Sequence, residues 1–136
     1  MAMRLLVDAD FLIALAKKDD ANHRVALTEA DELRDAVLFI TSFTIPEAAT
    51  VLSYKVSQSA ARNFLKAVRE KNFFELPLER RIIAEADSIF LSQNKKGVSW
   101  IDCYNVAVAR IHALDAILSF DKFYRKFGLS YTASHL

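Results

Sequence analysis

The sequence predicts a three-layer α/β/α fold around a central parallel sheet of four to five strands. Three observations carry that expectation. Short apolar runs alternate along the chain with longer segments of helical character. Those runs are apolar at consecutive positions, as strands covered on both faces are, leaving no wet face. The 136 residues include only two glycines and two prolines, where average usage would give about sixteen, so the chain is poor in turn formers and rich in helix.

The elements follow in order. Leu5, Leu6 and Val7 make a buried strand ending at Asp8, with a helix from about Asp10. A helix over 22–34 leads to a second strand, 37–40, ending at Thr41. Helices over 45–56 and 59–71 precede a third strand, 73–76, closed by Pro77. Two more helices, 78–92 and 100–113, flank a loop at 94–97. The fourth strand, 116–118, ends near Ser119; a short helix over 122–127 and a possible fifth strand over 129–132 complete the chain. No repeat or linker interrupts this alternation, so one domain over 1–136 is expected.

Composition excludes several function classes. Gly97 and Gly128 are too far apart to build a glycine-rich phosphate cradle. A balance of 18 Lys+Arg against 17 Asp+Glu leaves +1, which argues against coating nucleic acid by bulk charge but permits local basic patches. The single cysteine, Cys103, cannot form an internal disulfide, and there is no Cys/His spacing of the structural-zinc kind, so a cytoplasmic setting is expected. Asp8 and Asp10 interrupt the apolar N-terminus, giving it no export-signal character. No apolar run approaches the ~20 residues that span a bilayer, so no membrane partner is expected.

In an open parallel sheet the functional crevice lies beyond the carboxyl ends of the strands. Asp8 and Asp10 stand at the end of the first strand, Ser119 and Asp121 at the end of the fourth. Glu47 and Asp102 each open an otherwise apolar helix. Carboxylates gathered in one cleft repel one another, and without a cation at least one would have a raised pKa. All-oxygen ligands suit Mg²⁺ or Mn²⁺ better than zinc, and such a metal can drive phosphodiester hydrolysis. Each acid also has a structural explanation. Thr44 and Glu47 match a capping box, Asp102 can complement a helix dipole, and Asp10 and Asp121 can cap helices. Only Asp8, at the end of a buried strand, has no such explanation.

In order along the chain, these motifs resemble the PIN-domain family. Leu5-Leu6-Val7-Asp8-Ala9-Asp10 is similar to its first strand and acid, and Pro46-Glu47-Ala48-Ala49 to its second acid. The stretch from Trp100-Ile101-Asp102 to Ala109 resembles the third, and Ile117-Leu118-Ser119-Phe120-Asp121 the last, with Gly128-Leu129 trailing. The resemblance implies a metal-dependent endoribonuclease most like the VapC toxin of a toxin-antitoxin pair. Asp8, Glu47, Asp102 and Asp121 would bind Mg²⁺ or Mn²⁺, and Ser119 would position Asp121 or the metal's water shell. It further implies RNA as substrate, a cognate antitoxin whose C-terminal segment blocks the cleft, and a homodimer. Asp10 stands where the family more usually has Ser, Thr or Asn, so it is either a fifth acid of the site or a substitute cap.

Lys122, Arg125 and Lys126 are the basic residues nearest Asp121 and the candidates for RNA contact. The basic run Lys55, Arg62, Lys66, Arg69 and Lys71 reads more readily as a solvated helix face. Phe11, Phe43, Trp100 and Tyr104 read as core or dimer contacts. Two alternatives stand beside the nuclease. A haloacid-dehalogenase-like phosphatase would use Asp8 as nucleophile, Asp10 as acid and Thr41 after the second strand. A non-catalytic interaction module would keep only the fold.

Overall fold

A computed structural model of the chain describes residues 1–131. Its strands are β1 (Arg4–Val7), β2 (Val37–Thr41), β3 (Phe74–Leu76) and β4 (Ala116–Leu118). Its helices are α1 (Ala9–Ala16), α2 (His23–Glu32), α3 (Thr44–Lys55), α4 (Gln58–Val68), α5 (Arg80–Leu91) and α6 (Trp100–Ile111), followed by a 3₁₀ helix, Lys122–Phe127. All strand pairs are parallel, in the order β3-β2-β1-β4. The three-layer α/β/α expectation therefore holds with four strands.

The period-2 alternation of a strand divides the core in two. Leu5 and Val7 of β1, with Ala116 and Leu118 of β4, face the layer built by α1 to α4. Leu6 and Ile117 face the other layer, with α5, α6 and Tyr124 of the 3₁₀ helix. The chain runs outward from β1 through β2 to β3, then returns to place β4 on the other side of β1. The order thus reverses between β1 and β4, where parallel sheets open a crevice at their carboxyl ends.

Two expectations need correction. The third strand has a wet face: it is the sheet edge, paired on one side to β2, and Phe74 is 61% exposed. Glu75, a charge inside an otherwise apolar run, is exposed with it and was the sign in the sequence that this strand is not covered on both faces. The fifth strand shrinks to one parallel bridge between Ile117 and Ser130, because Gly128, in the left-handed region at φ 68°, turns the chain out of the 3₁₀ helix just before it; Thr132 lies outside the described residues. The helix bounds differ from those expected by at most three residues: α1, α3 and α4 begin one residue earlier, α2 to α6 end one to three residues sooner, and the 3₁₀ helix keeps its bounds. Among the described residues no helix is long and apolar enough to cross a membrane.

Candidate functional site

Asp8 extends the central ladder by one bond, its amide donating to the Leu118 carbonyl at 3.1 Å. It then turns the chain into α1 as the helix N-cap, its Oδ1 accepting from the Ala9 amide at 2.7 Å. The cap is therefore Asp8 and not Asp10. Asp10 lies in the first turn of α1 and reaches across to β4, where its Oδ2 accepts from the Phe120 amide at 2.9 Å. Ser119 Oγ lies 2.9 Å from that same oxygen and 3.2 Å from Asp8 Oδ2. One hydroxyl proton serves the two carboxylates, while Ser119 Oγ accepts from the Asp121 amide at 3.0 Å. Asp121 caps the 3₁₀ helix through the Phe123 amide at 2.9 Å.

Asp102 sits in the first turn of α6, whose N-cap Ser99 accepts from the Ile101 and Asp102 amides. Glu47 sits in the first turn of α3, but the expected capping box does not form. Thr44 Oγ1 accepts instead from the Thr41 amide at 3.0 Å, and Thr41 Oγ1 from the Phe43 amide at 3.1 Å. These bonds fasten α3 to the end of β2, and no side chain caps it. Phe43, Trp100 and Tyr104 then pack ring against ring, with centroids 5.1 to 5.9 Å apart. Such contacts contribute about 0.5–1.5 kcal/mol each beyond burial, and they lock together the helix starts that carry Glu47 and Asp102.

The acids perturb one another. Burial pushes Asp8 up, countered in part by hydrogen bonds from Tyr124, Ala9 and Ser119, with the Asp121 charge adding to the rise. Burial and then the Asp8 charge raise Asp10 to about 7. Asp102 rises to about 8 through burial, Asp8 and Asp121. Glu47 is raised by burial and by Asp8. Ion pairs form elsewhere, at Lys17–Asp19, Arg81–Glu79 and His112–Glu79, and among the described residues none joins a lysine or arginine to Asp8, Asp10, Glu47, Asp102 or Asp121.

An oxygen-only set strained by its own charge is the donor chemistry of a hard divalent cation. The residues fit such an ion in kind. Among the described residues, however, no three His, Cys, Asp or Glu side chains already stand close enough to hold one. A cation would have to draw the carboxylates inward by its own charge, offsetting the mutual repulsion that otherwise holds them apart.

Three contributors escaped the sequence reading. Tyr124, fully buried, brings its hydroxyl to 2.8 Å from Asp8 Oδ2 and 3.0 Å from Asp102 Oδ1. Asn105 donates to that hydroxyl at 3.0 Å; it is the one amide among the small apolar residues of α6, a signal that was available. The loop before α6 brings Lys95 and Lys96 to a cleft of about 370 Å³ lined also by Asp102, Asp121, Lys122, Arg125 and Lys126. By contrast, Arg62, Lys66 and Arg69 are exposed on and just beyond α4 and do not line that cleft.

The PIN domain family model matches residues 5–128. No curated protein matches by sequence. Among solved structures, the chain is similar to Mycobacterium tuberculosis VapC20, described as a sarcin-ricin loop cleaving toxin, with TM-score 0.81 and 18% identity over 92% of this chain and 95% of that one. It is similar to VapBC2 from Rickettsia felis, solved bound to a DNA fragment from its promoter, with TM-score 0.72 and 9% identity over 95% and 98%. A toxin-antitoxin complex from Klebsiella pneumoniae follows, with TM-score 0.66 and 16% identity over 93% and 95%. At these identities the likeness is one of fold.

Proposed function

The chain belongs to the PIN-domain family, and on that premise we propose that it is a divalent-metal-dependent endoribonuclease and the toxin of a toxin-antitoxin pair, working in the cytoplasm. The observation that carries the reading is the gathering of acids at the β1/β4 crevice, where Asp8, Asp10, Glu47 and Asp102 are all raised by burial and then by the charge of Asp8 or Asp121 beside them.

Asp8, Glu47, Asp102 and Asp121 are the residues that would hold Mg²⁺ or Mn²⁺. A cation there supplies positive charge against a phosphate and acidifies water. Ser119 orients Asp8 and fixes the Asp121 backbone, and Asp10 fastens the corner that carries both. Lys122, Arg125 and Lys126, joined by Lys95 and Lys96, supply the positive wall along which an RNA backbone would lie.

The toxin reading draws on the structural neighbours, which are named as toxins or toxin-antitoxin complexes. An apolar cleft of about 580 Å³ between α1, α2 and α4, lined by Phe11, Leu12, Leu33 and Phe64 with Arg34 and Lys71 among its polar residues, suits an apolar antitoxin segment bearing acidic residues. Exposed Leu78, Phe90 and Leu91 beside and on α5 offer apolar surface for a homodimer.

The phosphatase alternative fits less well, since both oxygens of Asp8 are engaged and Asp10 is turned into the β4 corner. Purified, antitoxin-free protein incubated with a panel of RNAs should cleave with Mn²⁺, stop with EDTA, and lose activity as Asp8→Asn. Cleavage indistinguishable from that variant rejects the nuclease, and absence of metal binding besides leaves the interaction module.

A further inference from the structure

Asn105 and Tyr124 are buried in the core layer between the sheet and α5, α6 and the 3₁₀ helix, at 3% and 0% exposure. The neighbours of Asn105 along α6, Cys103, Tyr104, Val106, Ala107, Val108 and Ala109, are buried with it. Packing does not account for the Tyr124 hydroxyl, because a phenylalanine fills nearly the same volume, as Phe123 and Phe127 do on the same short helix. A hydroxyl and an amide in such a layer are costly unless each finds a partner. Here they find each other and two carboxylates.

The direction of these bonds follows from charge. With the Asn105 amide donating to Tyr124 Oη at 3.0 Å, the one phenolic proton is free to point at Asp8 Oδ2 or Asp102 Oδ1, at 2.8 and 3.0 Å. The opposite amide orientation would spend that proton on Asn105 and turn phenolic lone pairs towards two carboxylates. The Tyr124 hydroxyl thus ties an acid from β1 to an acid from α6. The Ala9 amide holds the other Asp8 oxygen, so the plane of that carboxylate is set before any ligand arrives.

We propose that Tyr124, oriented by Asn105, is a positioning residue that sets Asp8 and Asp102 for divalent-cation binding. The inference rests on the metal-nuclease reading. It makes the Asn105–Tyr124 pair the analogue of the outer hydrogen-bonding partners that orient ligands at metal sites, whose loss typically weakens affinity or activity about 10- to 100-fold.

The test is Mn²⁺ titration of the full chain by calorimetry, with circular dichroism to verify folding. Tyr124→Phe keeps the ring and removes the hydroxyl. It should weaken Mn²⁺ binding at least about 10-fold and lower kcat more than it changes KM for RNA. Asn105→Leu should weaken binding less, and should add nothing in a Tyr124→Phe background, because its effect passes through the phenol. Tyr124→Phe binding within twofold of wild type overturns the proposal, as do fully additive losses. Should Tyr124→Phe fail to fold, unchanged Mn²⁺ affinity in Asn105→Leu overturns it instead. A wild-type chain that neither binds Mn²⁺ nor cleaves RNA overturns the nuclease reading and this inference together; a wild type that does both beside an unaffected Tyr124→Phe overturns this inference alone.

Discussion

Asp10 accepts the backbone N–H of Phe120 at 2.9 Å, across 110 positions of sequence. The bond joins the first turn of α1 to the corner after β4. Because Ser119 shares the same carboxylate oxygen and in turn receives the Asp121 amide, Asp10 governs where Asp121 stands. The other oxygen of Asp10 is buried and has no hydrogen-bond partner among the described residues, and burial and then the Asp8 charge raise its pKa. The clamp therefore works against the charge of the group that makes it.

Asp10→Ala should destabilise the metal-free protein by about 1–3 kcal/mol, the usual cost of stranding a buried donor, here the Phe120 N–H. Asp10→Asn should cost less, since its amide oxygen can take the same N–H while the charge beside Asp8 disappears. Urea denaturation in EDTA measures both. Equal losses would show that the Phe120 bond is not what Asp10 contributes.

Stability without metal should fall as pH rises. Asp10 and Asp102 are raised from 3.8 to about 7 and about 8, so between about pH 4 and pH 8 the folded chain keeps protons that the unfolded chain has released. Stability is then greatest at the acid end of that window and is lost as pH climbs through the folded values. Melting temperatures in EDTA from pH 5 to 9 should decline accordingly. Saturating Mn²⁺ should flatten or reverse the trend, because a cation favours the ionised forms; at 100 times its Kd a ligand adds about 2.7 kcal/mol. A melting temperature in EDTA that rises with pH would contradict the burial and repulsion assigned to these acids.

The acids were legible in the sequence because strand ends and helix starts are local features. Asp8 terminates an apolar run, and Asp102 opens an apolar helix just after Ser99. One reading failed for a local reason: Thr44 and Glu47 spell a capping box, but the turn after β2 brings the amide of Thr41, three residues earlier, onto the Thr44 hydroxyl. The rest of what was not legible depends on where distant segments meet. Tyr124 looks like another aromatic residue in a basic stretch until its hydroxyl meets Asp8, 116 positions earlier. Lys95 and Lys96 read only as part of a loop because nothing in their own segment says that it folds beside the 3₁₀ helix.

RNA binding by catalytically silent Asp8→Asn should weaken with salt, and the slope should report the basic cleft. Each phosphate contact on a single strand contributes about 0.7 to the slope of log affinity against log salt. Lys95→Ala with Lys96→Ala should therefore reduce the slope by about 1.4 if both lysines touch phosphate. Arg62→Ala with Lys66→Ala, on the exposed face of α4, should leave it unchanged. Fluorescence anisotropy over a salt series compares the pairs, and a larger effect from the α4 pair would move the RNA path to that face.

Glu47→Gln separates a working acid from a structural one. Were Glu47 chiefly a helix-dipole partner for α3, losing its charge would cost about 0.3–1 kcal/mol of stability. The environment argues the other way. Burial and the Asp8 charge both penalise ionised Glu47, and the first turn of α3 is secured by Thr41 and Thr44 without it. The metal-free variant should thus be as stable as wild type at neutral pH, or more so, while RNA cleavage with Mn²⁺ falls by about 100-fold or more, the upper range for groups that support a metal site. Opposite signs in the two measurements are the mark of a residue kept at the expense of the fold. A variant that loses stability and keeps its activity would return Glu47 to the helix cap that its spacing from Thr44 first suggested.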